Sequence, residues 1–283
     1  MNAMTHAVRT GVGRGLTESR QSLTSREDIG WYVVTGLILL GVLLLQRGGE
    51  VEGTTLSLAT LSLPGILGMQ LVLGGVVGTG SALVIHREDG TLLRAKAVPH
   101  GMVGYLTGLV LSSSLGTIVS IVILLVPGLF LLDGLTEAGV SGWVTLVWVF
   151  ALGFLATLPW GAMMGSLFTN PQAAWGLGFL SIGGLVAISG IFYPIQALWG
   201  WVQGVAQIFP VYWLGLGMRS ALLPESAAAV EIGGSWRTPE MVGVLGAWAI
   251  VGFVLAPVVL RRMARLESGG AVEARRQKAM QRI

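Results

Sequence analysis

The chain contains no cysteine, only two lysines (Lys96 and Lys278) and three histidines. Without cysteine there can be no disulfide framework, thiol nucleophile, iron–sulfur centre or cysteine-ligated zinc. Neither lysine follows a glycine-rich loop, so the Walker A pattern that cradles nucleotide phosphates is missing. His6, His86 and His100 lie outside the apolar runs, which argues against a buried haem or metal site; no metal and no cofactor is expected on this chain. Charge is scarcest of all. Charged residues make up 11% of the sequence, against about a quarter of a soluble domain. From Ala138 to Met218 the chain runs 81 residues without Asp, Glu, Lys or Arg. Further uncharged runs cover Ile29–Gln46, Gly53–Ile85, Gly101–Leu132 and Met241–Leu260. Together they predict an all-α, multi-pass membrane protein.

A helix needs about 20 apolar residues to cross roughly 30 Å of hydrocarbon. That rule predicts six spans: Ile29–Gln46, Leu61–Ile85, Met102–Leu132, Trp143–Phe168, Gln172–Ile191 and Pro239–Leu260. Lys and Arg gather on cytoplasmic loops. Arg9, Arg14, Arg20 and Arg26 precede the first span, Arg87, Arg94 and Lys96 lie between the second and third, and Arg261, Arg262, Arg265, Arg275, Arg276, Lys278 and Arg282 follow the last. These are fourteen of the 17 basic residues, whereas seven acids (Glu50, Glu52, Asp133, Glu137, Glu225, Glu231, Glu240) fall on the other side. Both termini are therefore expected in the cytoplasm. The first apolar stretch has no small-residue cleavage pattern after it, so a secretory signal is not expected. There are 43 glycines. Clusters at Gly74, Gly75, Gly78 and Gly80 and at Gly176, Gly178, Gly183 and Gly184 predict close helix–helix contact.

Three segments fit no simple span. Val8–Leu23 mixes arginine with apolar residues and reads either as an interfacial helix or as a disordered basic tail. Residues 191–218 are uncharged yet broken by Pro194, Gly200, Gly204, Pro210, Gly215 and Gly217, with interface-seeking Tyr193, Trp199, Trp201, Tyr212 and Trp213. Backbone interrupted so often cannot face lipid. It reads as two short helices that dip into the outer leaflet and return; a kinked extra span is the competing reading. The third segment is the loop His86-Arg87-Glu88-Asp89-Gly90-Thr91-Leu92-Leu93-Arg94-Ala95-Lys96-Ala97-Val98-Pro99. Gly90 permits a sharp turn, Thr91 is placed to cap a short helix to Val98, and Pro99 ends it. On charge alone, such a loop is either a docking element for a cytosolic partner or a plain topology signal.

The acidic-acidic-Gly-Thr-Leu loop with its following basic residue and Pro99, between spans two and three, resembles that of type-2 ABC exporter permeases. Ser189-Gly190-Ile191-Phe192-Tyr193-Pro194-Ile195, then Ile208-Phe209-Pro210-Val211-Tyr212-Trp213-Leu214 and Met218-Arg219, is similar to the family's pattern before its last span. The resemblance covers nearly the whole chain, and within the family it looks most like the daunorubicin-resistance type of drug and antibiotic exporters. It implies three segments: a cytoplasmic or interfacial piece (1–28), a six-span permease domain (29–260) and a basic cytoplasmic tail (261–283). It implies that 86–99 is a coupling helix in which Arg87, Glu88, Asp89, Gly90, Thr91, Leu92, Leu93 and Arg94 meet an ATPase. The acids would pair with basic groups there, and Leu92 and Leu93 would fill an apolar groove. It implies an outer gate at 191–218, with Phe192, Tyr193, Pro194, Phe209, Pro210, Tyr212 and Arg219. Spans two and five would line the path between two permease protomers. ATP and Mg would sit on a separate ATPase, two copies per complex.

Several side chains carry two readings each. Gln70, the most polar group inside span two, marks either function or an interhelical hydrogen bond. Met69, Met163, Met164 and Phe179 suit either an adaptable greasy path or core packing. Arg219 would hold the gate through Glu225 or Glu231, or would anchor at headgroups. Gly139-Val140-Ser141-Gly142 matches a rhomboid-protease serine motif, but no histidine follows His100 to act as base, so no catalytic residue is expected. Spans one, three and six hold no ionisable residue in their apolar cores, which argues against an ion-coupled carrier. The prediction is a bacterial plasma-membrane permease subunit, not itself an enzyme, moving a hydrophobic or amphipathic small molecule and binding no nucleic acid. The alternatives are export of a glycan or lipid-linked glycan, and a non-transporting scaffold or sensor.

Overall fold

The computed structural model describes residues 3–51, 54, 56–135, 139–266 and 270. Of the residues read above, Glu52, Glu137 and the tail from Arg275 to Arg282 lie outside them. Among the described residues six helices are long and apolar enough to cross a membrane. They are α2 (Arg26–Gln46), a span made of α3 (Leu58–Val72), a π-helical turn (Leu73–Gly78) and α4 (Thr79–Glu88), then α6 (Gly101–Leu131), α7 (Gly139–Leu167), α8 (Pro171–Ile188) and α11 (Thr238–Leu266). Each lies within a few residues of a predicted span. The shorter helices are α1 (Ala3–Ser22), α5 (Thr91–Lys96), α9 (Gly200–Ala206) and α10 (Pro210–Leu222).

Helix starts follow local chemistry. Ser25 accepts from the Asp28 N–H and Ser57 from the Thr60 N–H, each satisfying an orphan donor. Asn170 accepts from Gln172 N–H at 3.0 Å, with Pro171 pre-set for the first turn. A single bridge between Glu50 and Ser57 closes the α2–α3 connection.

The α3–α4 span is the centre of the molecule and packs on α2, α6, α7, α8 and α10; α11 lies against α7 and α10. Glycine makes this possible. A Cβ on Gly74 would sit 1.9 Å from Thr117 Oγ1, and one on Gly75 2.1 Å from Thr157 Oγ1. The second predicted glycine contact is only partly made. Gly178 touches Met164 and Val77, but Gly176, Gly183 and Gly184 face open space, because α8 lies at the edge of the bundle.

Candidate functional site

The loop after α4 turns at Gly90, whose φ of 75° is left-handed and suited to glycine. The cap of α5 differs from the expected one. Gly90 holds the N-cap position without a side-chain cap, Asp89 Oδ1 accepts from the Thr91 N–H at 2.8 Å, and Thr91 is the first helical residue. The helix stops at Lys96, short of Val98. Arg94 lies along the turn, donating to Thr91 Oγ1 at 2.9 Å. Leu92 is fully buried with Leu83, Tyr105 and Leu109 in the protein's own core, which removes it from any partner's groove. Leu93 and Glu88 are half-buried, while Asp89, Arg94 and Val98 are exposed. Arg87 also turns inward. Its Nη1 donates to the carbonyls of Gly165 (3.1 Å), Ser166 (3.2 Å) and Phe168 (2.8 Å). It thereby satisfies orphan acceptors at the end of α7.

The N-terminal segment is a helix, and it is docked. Ala7, Gly11 and Gly15 meet Gly104 and Gly108 of α6, where a Cβ on Gly11 would lie 2.2 Å from the Gly104 carbonyl oxygen. A neighbouring face of α1 exposes Met4, Val8, Val12 and Leu16 at four-residue spacing. Arg14 pairs with Glu18 at 2.6 Å and lies over the Tyr105 ring at 5.1 Å, and His86 Nδ1 is 3.1 Å from the Tyr105 hydroxyl. A polar knot thus ties α1, α4 and α6 together beside the loop.

At the other end the broken segment satisfies its backbone with side chains, as an irregular chain at membrane depth must. Gln46 Nε2 donates to the Phe192 carbonyl (3.2 Å), Trp213 Nε1 to Gln207 (2.7 Å) and Trp248 Nε1 to Ile208 (2.8 Å). The Tyr193 hydroxyl donates to the Ala187 carbonyl. Helices of seven (α9) and thirteen residues (α10) are too short to cross a bilayer. Pro194 precedes a 3-10 turn and Pro210 opens α10. The Phe209 ring, at the turn between α9 and α10, lies 6.0 Å from Trp248, ten residues into α11. Tyr212 and Arg219 are fully buried. Arg219 Nε lies 2.6 Å from Glu231 Oε1, and Nη1 donates to the Gly190 carbonyl at 3.2 Å. The other candidate carboxylate, Glu225, accepts from Trp236 Nε1 at 2.9 Å instead.

Between these ends a cleft of about 780 Å³ opens among α1, α2, α3–α4, α6 and α8. Gln70 and Phe179 line it; Met69 does not, being buried in the core. The π-helical turn lines it with Leu73, Gly74 and Gly78. Such turns recur at functional positions. Sequence reasoning missed the α6 wall of Ser112, Ser113, Thr117 and Ser120, whose signal was a run of hydroxyls inside an apolar span. It also missed Trp31, which meets Trp175 edge to face at 6.1 Å. Among the described residues, no three of His, Asp and Glu gather as a metal site.

Six apolar helices, one of them a glycine-fitted central span, with a cleft and a broken helical segment, define a multi-pass membrane protein of the transport kind. The chain belongs to the ABC-2 type transporter family, whose model matches residues 24–223. The family is a membrane permease domain without a nucleotide-binding site; its members pair with ABC ATPase subunits, on which ATP is used. No curated protein matches the chain.

Proposed function

We propose that this chain is the permease of an exporter of the daunorubicin-resistance type, moving a hydrophobic or amphipathic small molecule, drug- or lipid-like, out of a bacterial cell. Two permeases, the same chain twice or a paralogue pair, work with two copies of a separate ATPase that holds ATP and Mg. Residues 1–28, the loop 86–99 and the tail 261–283 face the cytoplasm, and 191–218 is the outer gate of the six-span domain 29–260. The distribution of arginine supports that orientation.

The observation that carries the reading is the anchoring of the loop. Leu92 and Arg87 fasten it from inside, and α4 continues through the π turn into the central span. Asp89, Arg94 and Val98 are therefore presented on a braced stub. A partner pressing on that stub displaces the helix that carries Gln70 into the cleft. The docking surface is thus Asp89, Arg94 and the exposed Val98 rather than Leu92. Co-expression with its partner ABC ATPase tests this. Arg94→Glu with Val98→Asp leaves the permease monodisperse, while the ATPase no longer co-purifies and membrane-dependent ATP hydrolysis is lost. If the double variant assembles and turns over like wild type, the loop is only a topology signal.

A further inference from the structure

The last span, α11, is fastened both to the broken outer segment and to the loop at the opposite end. We infer that Trp248 and Arg237 are positioning residues for the turn between α9 and α10, and that α11 carries a displacement of the loop 86–99 out to that turn. The role in transport rests on the exporter reading; the fastening of the turn to α11 does not.

The turn is Gln207-Ile208-Phe209. Helix α9 ends at Ala206, so the carbonyls of Gln207 and Ile208 have no helical partner. Trp213 serves the first of them, and Trp248 of α11 serves the second, at 2.8 Å. The Trp248 ring also lies 6.0 Å from that of Phe209. Arg237, just ahead of α11, donates from Nη1 to Gln207 Oε1 at 2.5 Å and lies over the Trp213 ring at 5.0 Å. Its φ is 46°, a left-handed conformation that a residue other than glycine keeps only where its surroundings impose it. Gln207, Ile208 and Phe209 are thus each held by Arg237 or Trp248. Pulling the turn away from Trp248 would strand the Ile208 carbonyl at a depth where no water replaces the indole N–H. The turn therefore moves with α11 rather than across it.

At the inner end, Ala256, Leu260 and Met263 of α11 share a buried cluster with Leu92 of α5. Lys96, the last residue of α5, donates through Nζ to the Ala264 carbonyl. That carbonyl is one of the orphan acceptors of the last helical turn, where a cation is also favoured. Between the two grips α11 is one continuous helix from Thr238 to Leu266, roughly 40 Å long. It bears closely on α7 near its middle. A Cβ on Gly252 would lie 2.9 Å from Trp160 Nε1, and that N–H donates to the Trp248 carbonyl at 3.0 Å. Pro257, little more than a turn further on, gives the Phe253 carbonyl no helical donor and marks where the helix can bend. A partner that shifts α5 pushes the inner arm of α11, and the outer arm takes the turn with it.

The test reads amide hydrogen exchange of residues 200–209 in nanodiscs. In the permease alone, Trp248→Phe keeps a ring and loses only the N–H; it raises exchange about fivefold, as loss of one hydrogen bond does. Arg237→Gly suits the left-handed φ, so it does not threaten folding, and raises exchange as well. Val254→Ala, at an exposed site of the same helix, leaves it unchanged. Exchange equal to wild type in both Trp248→Phe and Arg237→Gly overturns the fastening. In the complex with the partner ABC ATPase, trapping with ATP and vanadate changes exchange at 200–209. Lys96→Met, at an exposed position, keeps the ATPase bound but at least halves that change, and Lys96→Met with Trp248→Phe abolishes it. A change of full size in both variants overturns the α11 route in favour of α3–α4, and so does the absence of any change in the wild-type complex. If Trp248→Phe loosens the turn as expected while the loop variant Arg94→Glu with Val98→Asp assembles normally, the fastening stands and the exporter reading falls. If the loop variant uncouples the ATPase while exchange at 200–209 is the same in every form, only the present inference falls.

Discussion

Helix α2 and the α3–α4 span are both uncharged along their apolar stretches and both long enough to cross a bilayer. Yet 6% of the apolar window of α2 is buried in the protein, against 78% of that of α3–α4. Hydrophobicity does not explain the difference, for α2 is the more apolar of the two. Size does. The central span approaches its neighbours through glycine: a Cβ on Gly68 would lie 2.8 Å from the Gly215 nitrogen, and one on Gly80 2.9 Å from the Gly161 oxygen. Gly30 and Gly41 of α2 face open space, and Leu37, Ile38 and Leu45 point outward. Lipid tails are as apolar as leucine, so burial in a membrane is won by close packing. Both helices line the cleft, but only the fitted one runs on into the loop, so displacement at one end is felt at the other.

The comparison can be broken most severely where α7 meets the fitted helix. Gly161→Leu places a side chain where Cβ already lies 2.2 Å from the Gly75 carbonyl oxygen, a backbone atom that cannot step aside. The expected loss exceeds about 3 kcal/mol, seen as disappearance of the monodisperse peak in detergent. Gly183→Leu, on the open side of α8, stays within about 0.5 kcal/mol of wild type in the same thermal melt. Next in size is the buried ion pair. Glu231→Ala strands the Arg219 guanidinium and costs about 3–5 kcal/mol. The double change to methionine at both positions recovers most of it, which a double-mutant cycle measures. Smallest is Arg87→Met, which leaves the end of α7 without its donor and costs about 1–3 kcal/mol. Because Arg87 faces α7 and not the loop surface, that variant keeps its ATPase. Co-purification of the heat-treated complex separates the two effects.

Much of this was written in the sequence. A bilayer demands long uncharged runs, so six spans could be placed to within a few residues; Asn170-Pro171 marked the start of α8, and the prolines and glycines of 191–218 marked a segment unable to face lipid. Gln70 and Phe179 stood out in the sequence, but each carried a packing reading beside a path reading, and only the structure put both on the cleft wall. The tertiary structure alone decided which span is central, that Arg219 pairs with Glu231 rather than Glu225, that Leu92 and Arg87 turn inward, that Met69 is core, and that Ser112, Ser113, Thr117 and Ser120 share a wall with Trp31. The reason is physical. In a soluble protein the apolar stripe of a helix points to the core, but here lipid and protein are equally apolar, so periodicity says little about which face meets which. Only the fit of small residues against a particular neighbour, and the polar groups left over once that fit is made, settle the arrangement.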